Sequence, residues 1–534
     1  MPFIKVQKLV REGDKVRSGS AAVVDTSYVT GQKYHCKHVV RERLGKILYL
    51  SNDKRSGIFQ SPSRGLVFYD AGTDSFSDVA PDDDRLAGSP ILAQSRKHTI
   101  FGDAYLLLTF MKKQGLIPVL HSVFHKDADF QRLIGHILYG ILRLGSKIPC
   151  NDFLLRSVAS HLLTDVNVES FKSDSRFFTM MGDDQTRLAF FKSFVQYMRK
   201  RNPDFGRGCY VDSTPLPNDI HNNPFNALCS HGTGGATLQM RLVLVLDEES
   251  GLPVWYDIIP GNVLDLSTTM DVVNDVAVSL DIDIESLVLD AGYVSKELLN
   301  AFHIGSPKTI IGRMPARKGF PYKTLYHECK PLISRGKYEF LRNQHNYFGY
   351  RKEITVFNQP EYAYVYVDRE NALNGLRKYM QENEEEYEKM LDRDKDWYCV
   401  KFGYFVLISN RKLEPREMLS EYFERTDIEC VFKTSKDYLG LLPLSKWTAE
   451  AVRGKILLDI INTIIVLQLR KVIDEKGYSI PEIFGRAQSL MCNSDGTMLN
   501  IETPNKQTKE FYGLFHYPVP SHLSLADAQN LITV

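Results

Sequence analysis

Residues 422–436 read YFERTDIECVFKTSK, and gaps of three, four and seven residues separate Tyr422, Arg425, Glu429 and Lys436. At about 100° per residue, these gaps bring all four side chains onto one stripe of a helix. A neighbouring apolar stripe, which such a helix would bury, contains Ile428, Val431, Phe432 and Leu439. The sequence therefore predicts one amphipathic helix that carries a phenol, a guanidinium, a carboxylate and an ammonium beside its buried face.

Two interpretations of the polar stripe are open at this point. Arg425 and Glu429 could form an ordinary i,i+4 pair on a solvated surface, which contributes only about 0.3–0.5 kcal/mol. Alternatively, the four residues belong to a site whose other acidic members lie elsewhere in the chain. The second interpretation requires acidic residues placed where strands end.

Charge is distributed unevenly along the chain. With 534 residues, 43% hydrophobic and 25% charged, the protein has the composition of an ordinary globular protein of several domains. The net charge is +1, yet residues 1–66 contain 13 Lys/Arg against 5 Asp/Glu, and residues 313–360 contain 10 against 3. Such patches commonly contact phosphate, and solvated basic surface is the alternative.

The sequence also bears on the compartment. Eight cysteines are scattered without a C-x-x-C pair, and the N-terminus lacks a hydrophobic signal core. The most apolar run, ILLDIINTIIVLQL (456–469), is short for a membrane span and contains polar residues, so we expect a buried core helix. We therefore expect a soluble protein of the reducing cytosol, with no membrane partner.

The N-terminal half divides into three predicted regions. Residues 1–70 alternate in short apolar runs and predict a small β-rich module. Residues 71–100, which include PDDD, predict a linker. Residues 101–205 show helical periodicity and predict a helical domain.

The pattern changes after residue 205. Short apolar strands alternate with helical runs and predict an α/β core over 206–312 and 401–476. A basic stretch interleaved with aromatic residues interrupts this core at 313–400, and residues 477–534 predict a loop-rich extension.

Two aspartates stand at predicted strand ends. Asp212 follows GRGCYV and Asp290 follows SLVL, each just before a turn signal. Residues at strand ends of an open sheet project into the crevice where ligands bind. With Glu429 from the helix they would form an all-oxygen site suited to Mg²⁺ or Mn²⁺. Two such ions about 4 Å apart can activate an attacking oxygen and stabilise the leaving one on a phosphodiester.

Taken in order, these motifs resemble those of a known family. The spacing Y-x2-R-x3-E-x6-K is met without a gap, YVDST (210–214) looks like a first aspartate motif, and VLDAGY (288–293) looks like a second. The run GLPVWYDIIPGNVLD (251–265) is similar to the segment that joins the two. Over about residues 100–475, the chain resembles the DDE-class transposases of bacterial and archaeal insertion sequences.

The resemblance implies a fold and a set of roles. The fold would be an α/β ribonuclease-H-like catalytic core with a β-rich insertion domain at 313–400. Asp212, Asp290 and Glu429 would be the catalytic residues and the ligands of two Mg²⁺ or Mn²⁺ ions. The residues expected to contact DNA phosphates near the cleaved end are Tyr422, Arg425 and Lys436, together with Arg351 and Lys352 of the insertion.

The predicted function is DNA transposition by an insertion-sequence transposase. The helical domain would bind the terminal inverted repeats, and the catalytic core would act as an endonuclease and then join the freed 3′-hydroxyl to target double-stranded DNA. We expect a homodimer in the synaptic complex and a prokaryotic cytoplasmic location, associated with the nucleoid. The alternatives are a metal-dependent nuclease without strand transfer and a catalytically inactive DNA-binding derivative.

Overall fold

Three sheets organise the part of the chain that the structure describes, and they contain six, ten and four strands. The computed structural model describes residues 2–12, 15–28, 36–61, 64–80, 83–86, 98–218, 220, 223–229, 237–262, 265–303, 308–425, 427–473 and 476–533. Strands and helices are interleaved along this chain, so the architecture is mixed α/β.

The first sheet is an antiparallel meander in sequence order. Its strands are β1 (Phe3–Glu12), β2 (Lys15–Tyr28), β3 (Cys36–Leu50), β4 (Ser56–Ser61), β5 (Gly65–Asp70) and β6 (Ser75–Asp78). Val23, Phe59 and Tyr69 are fully buried in a core that belongs to this sheet alone. The sheet continues into the predicted linker, because β6 pairs with β5. Residues 81, 82 and 87–97 of that predicted linker lie outside the described residues.

A helical region follows. Its helices are α1 (Gly102–Lys113), α2 (Leu116–His121), α3 (Asp127–Leu142), α4 (Cys150–Arg156), α5 (Ala159–Leu162), α6 (Ser175–Met181) and α7 (Asp184–Arg199). The longer ones follow the apolar spacing of the sequence: Phe130, Ile134, Ile137 and Ile141 lie on one face of α3 and are buried. Asp183 starts α7 by accepting from the backbone N–H groups of Gln185 and Thr186.

The central sheet has ten strands. They are β8 (Gly208–Pro217), β9 (Ala227–Cys229), β10 (Thr237–Asp247), β11 (Pro253–Pro260), β12 (Ser286–Leu289), β13 (Thr309–Arg313), β14 (Glu339–Arg342), β15 (His345–Val356), β16 (Gln359–Asp368) and β17 (Tyr404–Ser409). Their order is β11-β10-β8-β12-β13-β17-β16-β15-β14, with β9 beside β10. The pairs β8–β12 and β12–β13 are parallel, whereas the β13–β17 pair is antiparallel.

The predicted β-rich insertion at 313–400 shares the central sheet. Its strands β14, β15 and β16 join the central sheet, because β16 pairs with β17 along six residues. Every residue of β17 is buried, as is typical of a strand covered on both faces. The remaining helices around the sheet are α8 (Asp265–Leu280), α9 (Lys296–His303), α10 (Tyr322–Cys329), α11 (Arg369–Glu382), α12 (Glu384–Glu388), α13 (Asp392–Lys401), α14 (Pro415–Glu424) and α15 (Asp427–Lys433).

The C-terminal part is more regular than the predicted loop-rich extension. It contains α16 (Ala449–Ile473), α17 (Ile480–Ala487), α18 (Lys506–Leu514) and α19 (Leu525–Gln529), and strands β18 (Met491–Ser494), β19 (Met498–Ile501) and β20 (His522–Ser524). The prediction failed because these short strands are completed by β7 (Thr99–Ile100), whose Thr99 lies 393 residues before its partner Cys492. Helix α16 is largely buried, as predicted, and none of the described helices is long and apolar enough to cross a membrane.

Close helix packing generates a first prediction. Helices α6 and α16 meet where a methyl group on Gly454 would overlap the carbonyl oxygen of Phe178. We expect Gly454→Ala to lower the free energy of unfolding by about 1–3 kcal/mol, because the two backbones must separate. Gly485→Ala in α17 is the matched control, since its nearest neighbour atom is 3.7 Å away, and it should stabilise slightly or be neutral. Urea denaturation of both variants checks this, and equal effects would contradict it.

Candidate active site

The parallel pairing of β8 with β12 brings two aspartates together. Val211 lies opposite Leu289, so the next residue on each strand is an aspartate, Asp212 on one and Asp290 on the other. Adjacent strands run about 4.8 Å apart. Burial raises the pKa of Asp212 above its usual value, the negative charge of Asp290 adds to this rise, and Arg425 opposes it.

The structure corrects the sequence interpretation of Asp212. The residue lies within β8, not at its end, because β8 continues to Pro217 while pairing with β10. Asp290 directly follows the last residue of β12, as predicted. The two aspartates are therefore adjacent even though only one of them ends a strand.

The segment quoted at the outset is not one continuous helix. Helix α14 ends at Glu424, α15 begins at Asp427, and a π-helical turn spans Thr434–Tyr438. The apolar stripe is nevertheless buried as predicted, and it comprises Ile428, Val431, Phe432 and Leu439. The break allows the polar residues before and after it to be directed at different positions on the sheet.

Three side chains of the segment bind the two aspartate-bearing strands. Arg425 Nη1 donates to Asp212 Oδ2 at 2.7 Å, and the Tyr422 hydroxyl donates to Asp290 Oδ1 at 3.2 Å. Lys436 Nζ donates to Thr214 Oγ1 at 2.6 Å and to the carbonyl oxygen of Pro215 at 2.8 Å. The segment is thus attached to β8 at two points and to the end of β12 at one.

Strand alternation explains why β8 offers two attachment points. Asp212 and Thr214 are two residues apart and face the same side of the sheet, towards the segment. Ser213 lies between them on the opposite face, where its hydroxyl accepts from Arg241 at 2.6 Å. The DST sequence therefore divides its contacts between the two faces.

Arg425 supplies positive charge beside both aspartates. Burial lowers its pKa, but Tyr422, Asp212 and Asp290 outweigh burial and raise it above the usual value. Its side chain is 12% exposed and that of Asp212 is 19% exposed, so the ion pair is largely shielded from water. Arg425 thus belongs to a half-buried site, and the interpretation of an exposed i,i+4 pair with Glu429 is wrong.

Tyr422 is the most enclosed member of this group. Only 4% of its surface is exposed, and burial raises the pKa of its hydroxyl to about 12. The hydroxyl is therefore protonated at neutral pH and can act only as a donor toward Asp290. Tyr422 also lies beneath the Arg425 guanidinium, 5.3 Å from the ring centroid.

Glu429 is exposed and faces a cavity of about 640 Å³ beside these contacts. The charged and hydroxyl-bearing side chains of this site cavity include Arg313, Arg342, His345, Asp368, Tyr422, Arg425 and Glu429. Among the described residues, the triad Asp212, Asp290 and Glu429 does not bring its carboxylate oxygens within 4.8 Å of one another. The shared metal site inferred for the triad therefore stays a prediction.

A second acidic group adjoins the same cavity, which His345 and Asp368 line. The ligand atoms of His345, Asp368 and Glu370 all lie within 4.8 Å of one another. Asp368 accepts from His345 Nδ1 at 2.8 Å and from the backbone N–H of Asn371 at 2.9 Å, where it caps α11. Helix capping accounts for this arrangement, and no spacing motif in the sequence indicated it.

Sequence reasoning missed Arg313 and Arg342. Both line the site cavity, and within the described residues neither forms an ion pair. Arg342 lies over the ring of Phe423 at 4.7 Å and Arg313 over that of Phe405 at 5.5 Å. The basic excess of residues 313–360 was the available signal, but it does not indicate which cations face the site.

The insertion residues predicted to contact DNA are engaged elsewhere. Arg351 pairs with Glu414 at 3.2 Å, and Lys352 pairs with Glu328. The neighbouring aromatic ring of Tyr347 is buried against Phe340 and Phe423. Tyr347 is therefore packed between the insertion and α14, and its ring is not exposed for stacking on a base.

Arg425→Gln should destabilise the protein in a pH-dependent manner. Because the folded-state pKa of Asp212 is raised, its ionised form lowers stability, and this cost develops as the pH rises from the unfolded-state pKa to the folded-state pKa and is fully present above it. Without Arg425 the cost increases further, so we expect a loss of about 1.5–3 kcal/mol at pH 7 that shrinks toward pH 4.

Urea denaturation across this pH range provides the measurement for Arg425→Gln. Arg425→Lys, which keeps the charge, should retain most of the stability and serves as the control. A deficit that does not vary with pH would indicate lost packing in place of the lost ion pair.

Comparison with known proteins gave a match to a family model and a match to a solved structure. Residues 203–464, just under half of the chain, match the family model of the transposase DDE domain, and this range contains Asp212, Asp290 and the whole segment 422–436. The match supports a transposase of the DDE class. Among solved structures, the cryo-EM structure of the piggyBac transposase synaptic complex with hairpin DNA matches with a TM-score of 0.38 and 11% identity, over 74% of this chain and 81% of that chain. Comparison with curated proteins gave no match.

Proposed function

We propose that the protein is a metal-dependent DNA transposase that binds the inverted repeats of an insertion sequence, cuts at their ends and joins them to target DNA. One observation carries the proposal. Asp212 and Asp290 are adjacent on parallel strands, and the segment that contains Glu429 is bonded to both of them. The whole arrangement lies inside the region that matches the transposase DDE domain.

The donor set suits a divalent metal. Asp212, Asp290 and Glu429 offer only carboxylate oxygens, which Mg²⁺ and Mn²⁺ prefer. Burial and the charge of Asp290 raise the pKa of Asp212, so its ionised form requires positive charge nearby, and Arg425 supplies one such charge. We therefore propose these three residues as the ligands of two ions, which would supply activation of the attacking oxygen and stabilisation of the leaving oxygen.

The other residues of the site would orient these ligands and the DNA. Tyr422 and Arg425 hold the Asp290 and Asp212 carboxylates in place through their hydrogen bonds. Arg425 also lines the site cavity, so we propose that its guanidinium contacts a DNA phosphate there as well. Lys436 holds β8 through Thr214, and we propose it, with Tyr422, as a further contact near the cleaved end.

The reaction would proceed in two phosphoryl-transfer steps. In the first, water attacks a phosphodiester at the element end, the P–O3′ bond breaks, and a free 3′-hydroxyl is released. In the second, this hydroxyl attacks a target phosphodiester and loses its proton, while the target strand's own 3′-oxygen leaves and is protonated. Two element ends must be joined to one target, so we propose a homodimer in the synaptic complex.

Glu429→Gln tests the mechanism. The change preserves volume but removes one negative charge from the proposed metal site, so Mg²⁺-dependent cleavage of labelled element ends should fall by at least about a hundredfold. DNA binding in Ca²⁺ should persist or tighten, because an anion that faces phosphate has been neutralised. Glu424→Gln is the matched control, because Glu424 is exposed and is the last residue of α14. The E424Q protein should cleave DNA at the normal rate.

The same assay separates the rival functions. Wild-type protein that cuts and joins to a plasmid supports the transposase, and protein that only cuts is a nuclease. Protein that only binds is an inactive derivative. Normal cleavage by E429Q would contradict the proposed role of Glu429.

The cavity arginines should dominate the salt dependence of DNA binding. Each phosphate contact contributes about 0.9 to the slope of log K against log[salt], so R313Q combined with R342Q should lower the slope by about 1.8. R351Q combined with K352Q removes the same formal charge from residues that are paired with Glu414 and Glu328. We expect this second pair to change the slope less. Fluorescence anisotropy titrations over a salt series measure both, and equal slopes would restore Arg351 and Lys352 as the principal contacts.

A further inference from the structure

A second basic cavity lies where the helical region meets the end of the segment 422–436. This junction cavity has a volume of about 380 Å³ and is formed by α3, the chain that follows α15, and α16. Its charged and amide side chains are His136, Arg143, Lys172, Asp174, Lys446, Lys455, Asp459 and Asn462. None of these residues belongs to the site proposed for catalysis.

Three cations of the junction cavity lack an anionic partner. Arg143 Nη2 donates to the carbonyl oxygen of Leu439 at 2.7 Å, and Lys455 Nζ donates to that of Pro443 at 2.6 Å. Lys446 Nζ lies 3.8 Å from the centroid of the Phe178 ring. Within the described part of the chain, none of the three forms an ion pair.

These cations are held together at an electrostatic cost. Burial lowers the pKa of Lys455 to about 8, and the positive charges of Lys446 and Arg143 contribute to that shift, while Asp459 opposes it. Burial also lowers the pKa of Lys446. An anion in the cavity would relieve this repulsion, because opposite charge favours the protonated form of both amines.

The two carboxylates of the cavity provide little compensation. Asp174 is already engaged by Arg132 and by His136 Nε2, the latter at 2.7 Å. Asp459 accepts from the Ser435 hydroxyl, and burial raises its pKa to about 7, so it is partly neutral at physiological pH. Positive charge therefore exceeds negative charge inside the cavity.

A largely buried amide, Asn462, also lines the junction cavity. Asn462 is only 4% exposed, and its side-chain oxygen has no hydrogen-bond partner among the described residues. The side chain lines the junction cavity, where its amide can present N–H donors to a ligand. An anion with several oxygens would satisfy both the amide and the ammonium groups.

We propose that the junction cavity binds a phosphate group of the DNA backbone, outside the catalytic site. DNA is favoured over a free anion because Trp447, the residue after Lys446, exposes 76% of its surface and offers a ring on which a base can stack. The choice of DNA rests on the proposed function. The cavity also lies close to the segment that contains Glu429, because Tyr438, just after that segment, donates to the carbonyl oxygen of Ile141 in α3.

The test measures binding of a mixed-sequence DNA duplex in Ca²⁺ over a salt series. We expect K446Q to lower the slope of log K against log[salt] by about 0.9, and K446Q combined with K455Q to lower it by about 1.8. K446R keeps the charge and should restore the wild-type slope. K471Q, on the exposed side of the same helix, is the matched control and should leave the slope unchanged.

Each outcome decides the proposal. Unchanged slopes in folded K446Q, verified by its thermal midpoint, would overturn it while leaving the catalytic proposal intact. A wild-type protein that binds no duplex but is stabilised against heat by inorganic phosphate would show a free-anion site and overturn the choice of DNA. In that case the proposed function would fail as well, and the Mg²⁺ cleavage assay would report its failure separately.

Discussion

Two carboxylates at the same edge of a parallel strand pair repel one another, and the organisation of the site follows from this repulsion. The β8–β12 register places Asp212 and Asp290 side by side, because the residues before them, Val211 and Leu289, are paired. Arg425 compensates the charge, and its own ionised state is stabilised by both aspartates. The segment that provides Arg425 must therefore lie against the sheet, which in turn brings Glu429 to the adjoining cavity.

This requirement accounts for the interrupted helix. One straight helix would align Tyr422, Arg425 and Lys436 on a single stripe. Their partners, however, lie at different positions along β8 and at the end of β12. Ending α14 at Glu424 directs Arg425 to Asp212, and the π-helical turn directs Lys436 to Thr214. Within the same turn, Ser435 donates to Asp459 and Tyr438 donates to the backbone of α3. The segment 422–438 is consequently fixed from both ends, with Glu429 between the attachments.

Local patterns predicted what depends on local chemistry. The apolar stripe of the segment, the buried character of residues 456–469 and the position of Asp290 after a short apolar strand all follow from spacing and hydrophobicity. What sequence reasoning missed depends on pairing between distant residues. Asp212 lies inside a strand because β8 continues to pair with β10 beyond it. The insertion joins the central sheet because β16 pairs with β17. Neither partner can be identified from the sequence around the residue itself.

The distribution of charge in the fold also depends on contacts between distant residues, and it decides which cations are available to phosphate. A local excess of basic residues predicts phosphate binding only if the fold leaves those cations without internal anions. Arg351 and Lys352 acquire carboxylate partners from Glu414 and Glu328, so their charges are largely satisfied. Among the described residues, the cations that form no ion pair include Arg313 and Arg342 in the site cavity and Arg143, Lys446 and Lys455 in the junction cavity. These five cations line two cavities, one beside α14 and α15 and one beside α16. A protein with a net charge of only +1 can in this way concentrate positive charge in two cavities.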